Sequence, residues 1–489
     1  MLKINKKIIL LVVFNFFILM SLITLLNPSW IIAGDGYGYY IYLRSLIFDH
    51  DLNFQNEYSQ FDAIYGAHMS TNITPLGKVG NMFSVGPSIL WAPFVFIAFL
   101  IDLFFNFSQN YFLPGFNYPF EIAIAIAAFF YFFIGLVFLY LGLKKLFAEK
   151  ISFWSTTIIW LTSPLVYYLV YEPSMSHALS FFSVSGFLYF FIKYKNSFDR
   201  NNFLIIGFWL GLAMLVRWQN LLFAALPVVW ILWQQKIVIK NRLRLLFYFF
   251  TSAFVVFSPQ LLMWKYLYGS FLVAPQGGKF FDLFNPHFVK FLFSGYHGFF
   301  VWHPFLLFSV LGLFFYIKKN KKLAVLFLLT LFLQIYMNSA LSDWFGGGSF
   351  GARRMISSIF ILAIGLTFIM SQLNRKRIAL IFFSLIIFLA ISWNILLMIS
   401  CARGVVLVNV PITTKELFSE QKKIFLNIVE RKFLNIQVMP FINRRMTDFK
   451  GCLGIIIPDL NQNLQLMVDL QLNILKLKIP NIFLDLFRI

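Results

Sequence analysis

A chain of 489 residues is long enough for two or three soluble domains. Its composition excludes them: 60% of residues are hydrophobic, 12% are charged, 66 are phenylalanine and the mean hydropathy is +0.79, so most of the chain lies in lipid. The formal net charge of +21 is spread over short connectors between apolar runs, where it orients helices and forms no patch for nucleic acid. Cys401 and Cys452 have no CxxC spacing and HExxH is absent, which leaves no sign of a structural zinc.

Lys3, Lys6 and Lys7 precede the first apolar run, Ile8 to Leu26. Asn27-Pro28-Ser29-Trp30 follows it where a small-x-small cleavage site would stand, so the run reads as an uncleaved anchor. Further apolar runs occur at Phe83 to Phe105, Ile122 to Leu143, Ile151 to Val170, Ala178 to Ile192 and Phe203 to Val216. Leu221 to Trp233, Leu245 to Met263, Phe299 to Ile317, Leu323 to Ala340, Met355 to Met370 and Ile378 to Met398 complete the series. Phe83 to Phe105 contains Pro87, Pro93 and Asp102 and reads as a surface-lying segment. Phe203 to Trp233 is too long for one crossing, at about 46 Å as a helix, and reads as two short spans hinged at Arg217. With those two assignments, 17 basic residues between positions 106 and 399 share the side of the amino terminus and six lie opposite, as the positive-inside rule requires. The predicted fold is therefore an all-α polytopic membrane protein of about eleven transmembrane helices, residues 1–399. It carries surface-lying helices in a first outer loop at 27–120 and ends in a small extracytoplasmic tail at 400–489. In that tail Thr414 to Leu434 has the pattern of an amphipathic helix and Leu464 to Leu472 that of a half-buried strand.

The remaining ionisable groups fall on the outer side in this arrangement. Of the twelve acids before residue 400, only Glu149 and Asp199 lie inside, and all six histidines lie outside. Asp35, the first acid of the chain, sits between Gly34 and Gly36 directly after the first span, where the glycines suit close backbone approach by a ligand. Tyr171-Glu172-Pro173-Ser174-Met175-Ser176-His177 closes the third span and pairs an acid with a histidine, with Ser174 or Ser176 as cap of the next helix. Arg217 is costly in a bilayer unless paired, and its guanidinium suits a lipid phosphate at the head-group level. A glycine-rich loop from Asp343 ends in Arg353-Arg354, which with exposed amides makes an anion site. His297 stands at another span entrance and is a candidate ligand contact; Trp302 reads as interfacial belt.

On these residues the chain resembles the C-type superfamily of membrane glycosyltransferases, and in particular its branch of protein O-mannosyltransferases and lipid A aminoarabinose transferases. Asp35 is similar to the acid that serves that branch as catalytic base beyond the first span. Pro75 to Phe105 matches its surface-lying helices, Glu172-Pro173 its acid-proline at the third span, and the surroundings of Arg217 its hinged helix pair. Gly36 follows Asp35 where family members often have a second acid. The resemblance implies an inverting transfer of a sugar from a polyprenyl-phosphate donor to an acceptor hydroxyl on a glycan, lipid or protein, at the extracytoplasmic face of the plasma (inner) membrane. Asp35 is then the base, and Glu172, His177, Arg217, His297, Arg353 and Arg354 bind substrate. No cofactor is required; a divalent metal is optional, with Asp35, Glu172 and His177 as its candidate ligands. The rival reading is a lipid-linked-sugar flippase or transporter, which predicts ionisable groups in mid-helix and inverted repeats.

Overall fold

The computed structural model describes residues 6–110, 113–277, 280–374 and 376–429. The expected strand at Leu464 to Leu472 and the last residues of the expected tail helix lie outside them. The described chain is an all-α polytopic membrane protein. Among the described residues seven helices are long and apolar enough to cross a bilayer.

The first, α1 (Lys6–Leu26), has no acid and at about 1.5 Å per residue matches the hydrocarbon thickness. Gly34 then takes φ +54°, a conformation that glycine adopts without strain, and starts α2 (Asp35–Arg44), which leads through a π-helical turn toward α3 (Gln55–Tyr65). The next helices are α4 (Gly86–Phe105) and α5 (Tyr118–Lys144). Ile151 to Val170 is broken into α6 (Glu149–Leu161) and α7 (Leu165–Val170), because Pro164 has no N–H to continue the ladder. After α8 (His177–Tyr194) come α9 (Arg200–Val216), a 3-10 turn and α10 (Ala225–Leu232). Arg217 between them is in extended backbone, as expected for the hinge, and Asn220 fastens the break by donating to the Ala213 carbonyl at 2.9 Å and to Ser180 Oγ at 3.1 Å. The chain continues through α11 (Ile239–Tyr268), α12 (Phe288–Phe293) and α13 (Phe299–Trp302), the last separated by His303-Pro304 from α14 (Leu306–Tyr316). It ends in α15 (Lys321–Ser339), α16 (Ile359–Leu373), α17 (Arg377–Ala402) and the amphipathic α18 (Thr414–Val429).

The core is aromatic and closely approached. Phe132 packs against Trp160 and Phe181, and the Trp160 indole donates to Asn15 Oδ1 at 2.7 Å while the Asn15 amide donates to the Leu11 carbonyl and Thr157 Oγ1, so this buried side chain is satisfied. A Cβ on Gly312 would stand 2.1 Å from the Gly365 carbonyl oxygen, so α14 and α16 meet backbone to backbone, as small residues permit between membrane helices.

Two ends can be assigned from the contacts. Lys7 and Lys144 both pair with Glu149, at 2.7 and 2.6 Å, which puts the start of α1, the end of α5 and the start of α6 together. At the other end Trp30 packs on Phe129 and donates to the Val170 carbonyl at 2.9 Å. α4 stays at this second end. Its Leu90 carbonyl accepts from Tyr131 and its Asp102 from Asn117, so it runs antiparallel to the first half of α5 and away from Lys144. It is long and apolar enough to cross, and it packs lengthwise against α5 where a surface-lying segment was expected.

Candidate active site

Three hydrogen bonds gather the site from distant sequence. Trp30 reaches Val170, Ser174 Oγ donates to the Ile31 carbonyl at 3.2 Å, and Tyr171 Oη donates to the Leu26 carbonyl at 3.5 Å, so the turn after α1 is laced to the turn after α7. Asp35 and Glu172 thereby share one face of the protein. Two of the glycines around Asp35 serve close packing within the protein. A Cβ on Gly36 would lie 2.5 Å from Ser174 Oγ, and one on Gly38 1.9 Å from the Phe83 ring. Both glycines are filled by protein.

Arg353, brought in by the turn before α16, places its guanidinium 2.9 Å from Asp35 Oδ2, with side-chain exposures of 10% and 34%. The same guanidinium lies in the field of Glu172 and of the Tyr39 and Tyr168 hydroxyls. Glu172 accepts from Tyr167 Oη at 3.2 Å through Oε1, while Oε2 is buried without a hydrogen-bond partner. Burial raises its carboxyl to about 7, against the opposing pull of Arg353 and with a further push from Asp35.

Arg217 completes the group. Its Nη1 is 3.0 Å from His177 Nδ1. A guanidinium only donates, so this nitrogen accepts and the ring proton of His177 is on Nε2. Among the described residues Arg217 pairs with no carboxylate, although Asp35 and Tyr39 are close enough to act on it electrostatically. The expected serine cap of α8 is not made: Ser176 stands at the cap position, but its hydroxyl bonds no backbone N–H and is buried without a partner.

Asp35, Glu172, His177, Arg217 and Arg353 therefore converge. His297 and Arg354 do a different job. Nδ1 of His297 is 2.8 Å from the Phe345 carbonyl, and Arg354 binds both the Asp343 carboxylate at 2.5 Å and its carbonyl at 2.8 Å. Both fasten the glycine loop. Phe350 in that loop stacks on Tyr167 at 4.4 Å and gives its amide to Tyr168 Oη at 2.8 Å, so the loop is packed under α7 and presents Arg353 from a fixed base. Burial and the nearby Arg353 lower His297 to about 4 against the favourable Phe345 carbonyl, and burial lowers His303 to about 3.

Asp35, Glu172 and His177 do not assemble as a metal-binding trio, and no group of three His, Cys, Asp or Glu among the described residues is placed to do so. Guanidinium groups occupy the positions beside them: Arg353 on Asp35 and Arg217 on His177. Tyr39 was not singled out from sequence as a site residue, yet its hydroxyl is in the combined field of Arg217, Asp35 and Arg353. Its spacing from Asp35 is the signal that finds it, since residues four apart share a helix face.

No protein-family model matches the chain, and no curated protein matches it in sequence. Among solved structures it is similar to the archaeal oligosaccharyltransferase AglB from Archaeoglobus fulgidus, determined with an inhibitory peptide and a dolichol-phosphate. Identity is 12%, the TM-score is 0.42, and the likeness covers 79% of this chain and 56% of that one, so the chain spans little more than half of that protein's length.

Proposed function

We propose that this protein is an inverting glycosyltransferase that moves a sugar from a polyprenyl-phosphate donor to an acceptor hydroxyl at the extracytoplasmic face of the plasma membrane. The observation that carries the reading is the placement of a partly exposed carboxylate, Asp35, beside a buried guanidinium, Arg353, and a part-buried one, Arg217, that has no carboxylate of its own among the described residues. The acceptor oxygen attacks the anomeric carbon, its proton passes to Asp35, and the bond from that carbon to the phosphate oxygen breaks. The departing phosphate carries the bond's electron pair and needs neutralisation more than a proton. Arg217 supplies that charge, and Arg353, shared with Asp35, holds the base against the leaving group. General-base assistance is worth about 10² to 10⁴ in rate, and fixed donors aimed at developing charge contribute on a similar scale. The positive-inside rule, applied to the basic connectors on the Lys7 side, supports an outer position for Asp35 in this reading.

The test is transfer by the purified protein in vesicles supplied with a panel of polyprenyl-phosphate hexoses and pentoses, read as release of polyprenyl phosphate. Asp35→Asn is expected to lower turnover by about 10²-fold or more while the variant still retains the phospholipid donor. Unchanged turnover in that variant with a donor the native protein uses would remove Asp35 from the chemistry.

A further inference from the structure

A cavity of about 170 Å³ opens against Asp35 on the side of α2 and α3, and its walls are aromatic and thioether: Tyr37, Tyr58, Phe61, Met69 and Met82. The polar tips on these walls are already used. Tyr37 Oη donates to the Glu57 carbonyl at 2.6 Å, and Tyr58 Oη donates to Asn81 Oδ1 at 3.0 Å. Tyr37 is further locked by stacking on Phe116 at 4.6 Å and by contact with Phe61 at 4.8 Å, so neither hydroxyl is free to turn inward. Asp35 is the one carboxylate among the lining residues.

Resting on the glycosyltransferase reading, we propose that this cavity is the acceptor subsite and that its ligand is a hydroxyl carried on an apolar body about the size of an aromatic ring. A sugar acceptor is disfavoured on physical grounds. A pyranose brings several hydroxyls, of which Asp35 satisfies one; those turned toward Phe61, Met69 and Met82 meet apolar walls, and each left there without a partner costs about 1 to 3 kcal/mol. An apolar body meets no such cost. A dry cavity of about 150 Å³ lined by apolar side chains is known to bind benzene, and methionine adapts its shape to an irregular guest while making favourable sulfur contacts with rings. The hydroxyl of such a guest, held with its body against Tyr37 and Phe61, points to the only place that accepts its proton. Two sources offer this chemistry, a phenolic or otherwise apolar side chain of a polypeptide and a short isoprenoid alcohol.

The probe is a diazirine-bearing benzyl alcohol, photolysed with the detergent-solubilised full-length protein and mapped by mass spectrometry, with no donor present. The expected result is labelling at Phe61, Met69 or Met82 that benzyl alcohol suppresses and equimolar methyl glucoside does not. Competition by N-acetyltyrosine amide but not by isoprenol assigns a polypeptide source, and the reverse assigns a lipid alcohol; both support the subsite. Met69→Trp, which fills the cavity, is expected to lower labelling at least fivefold, while Glu149→Gln, at the other end of the bundle, keeps it within twofold. Equal suppression by methyl glucoside, labelling confined to residues outside the cavity, or full labelling of Met69→Trp overturns the proposal. Because no sugar is transferred in this experiment, its failure leaves the glycosyltransferase reading standing. Conversely, a cavity that binds the alcohol in a protein inactive on every polyprenyl-phosphate sugar refutes that reading alone.

Discussion

The two ends of the helical bundle use the same side-chain chemistry for opposite purposes. At one end Glu149 is clasped by Lys7 and Lys144, with exposures of 27%, 60% and 34%, and Tyr140 adds a hydrogen bond at 2.8 Å. Water screens that cluster, so it serves as a fastening of small worth. At the other end Arg353 is buried and Arg217 partly so, and of the two acids near them Asp35 is paired with Arg353 while burial raises Glu172 to about 7, so the two cations are not fully neutralised. A buried cation left short of negative charge is expensive for a fold and useful for an anion. The difference between the ends is therefore burial and pairing, not the residue types present.

Breaking the Asp35 end should cost the most. Arg217→Ala removes the guanidinium that lacks a carboxylate and is expected to lower transfer by about 10² to 10³, measured as turnover at saturating donor. Arg353→Lys keeps the charge beside Asp35 but loses the planar fork, and should lower turnover by about 10-fold, with the loss shrinking little as salt is raised because the pair is buried. Glu172→Gln sharpens the comparison through pH. The folded protein holds the Glu172 proton more tightly than the unfolded chain, with a carboxyl near 7 against an ordinary 4.5, so it contributes a stability that falls as pH rises from 4.5 toward 7 and is level above that. Glu57, also raised to about 7 by burial in spite of Arg44, adds a slope of the same sign. The lowered His297 and His303 add the opposite one below 6.5. The difference between native protein and Glu172→Gln in thermal unfolding from pH 5 to 8 isolates the first: the gap should close above pH 7 to a constant. At the opposite end Glu149→Gln should shift the midpoint of unfolding least, by an amount that disappears in high salt, and leave turnover unchanged.

Much of this arrangement was legible in the chain, and what was not has a common cause. The break at Arg217 and the grouping of Asp35 with Glu172 follow from helix length and the sidedness of lysine and arginine, which act locally or along the membrane normal, whereas the split of Ile151 to Val170 at Pro164 was not read from the sequence. Gly36 and Gly38 were misread as room for a ligand because their true neighbours, Ser174 and Phe83, are supplied by tertiary contact. Arg354 and His297 were counted as substrate contacts for the same reason. A cation beside a glycine loop looks alike in sequence whether it faces the site or ties the loop, and only Asp343 and Phe345 at bonding distance decide. Tyr168 carries no sequence signal of its own, and Ser176 carried only that of a helix cap. Both are drawn in by packing around Phe350 and α8.

The central claim is that one carboxylate takes the proton and one unpaired guanidinium takes the phosphate. Parallel measurement of donor-lipid retention and sugar transfer in Asp35→Asn and Arg217→Ala tests it most directly. The account predicts a split: Asp35→Asn keeps the donor and loses transfer, whereas Arg217→Ala loses both. Equal loss of donor binding in the two variants, or transfer surviving in Asp35→Asn, would contradict it.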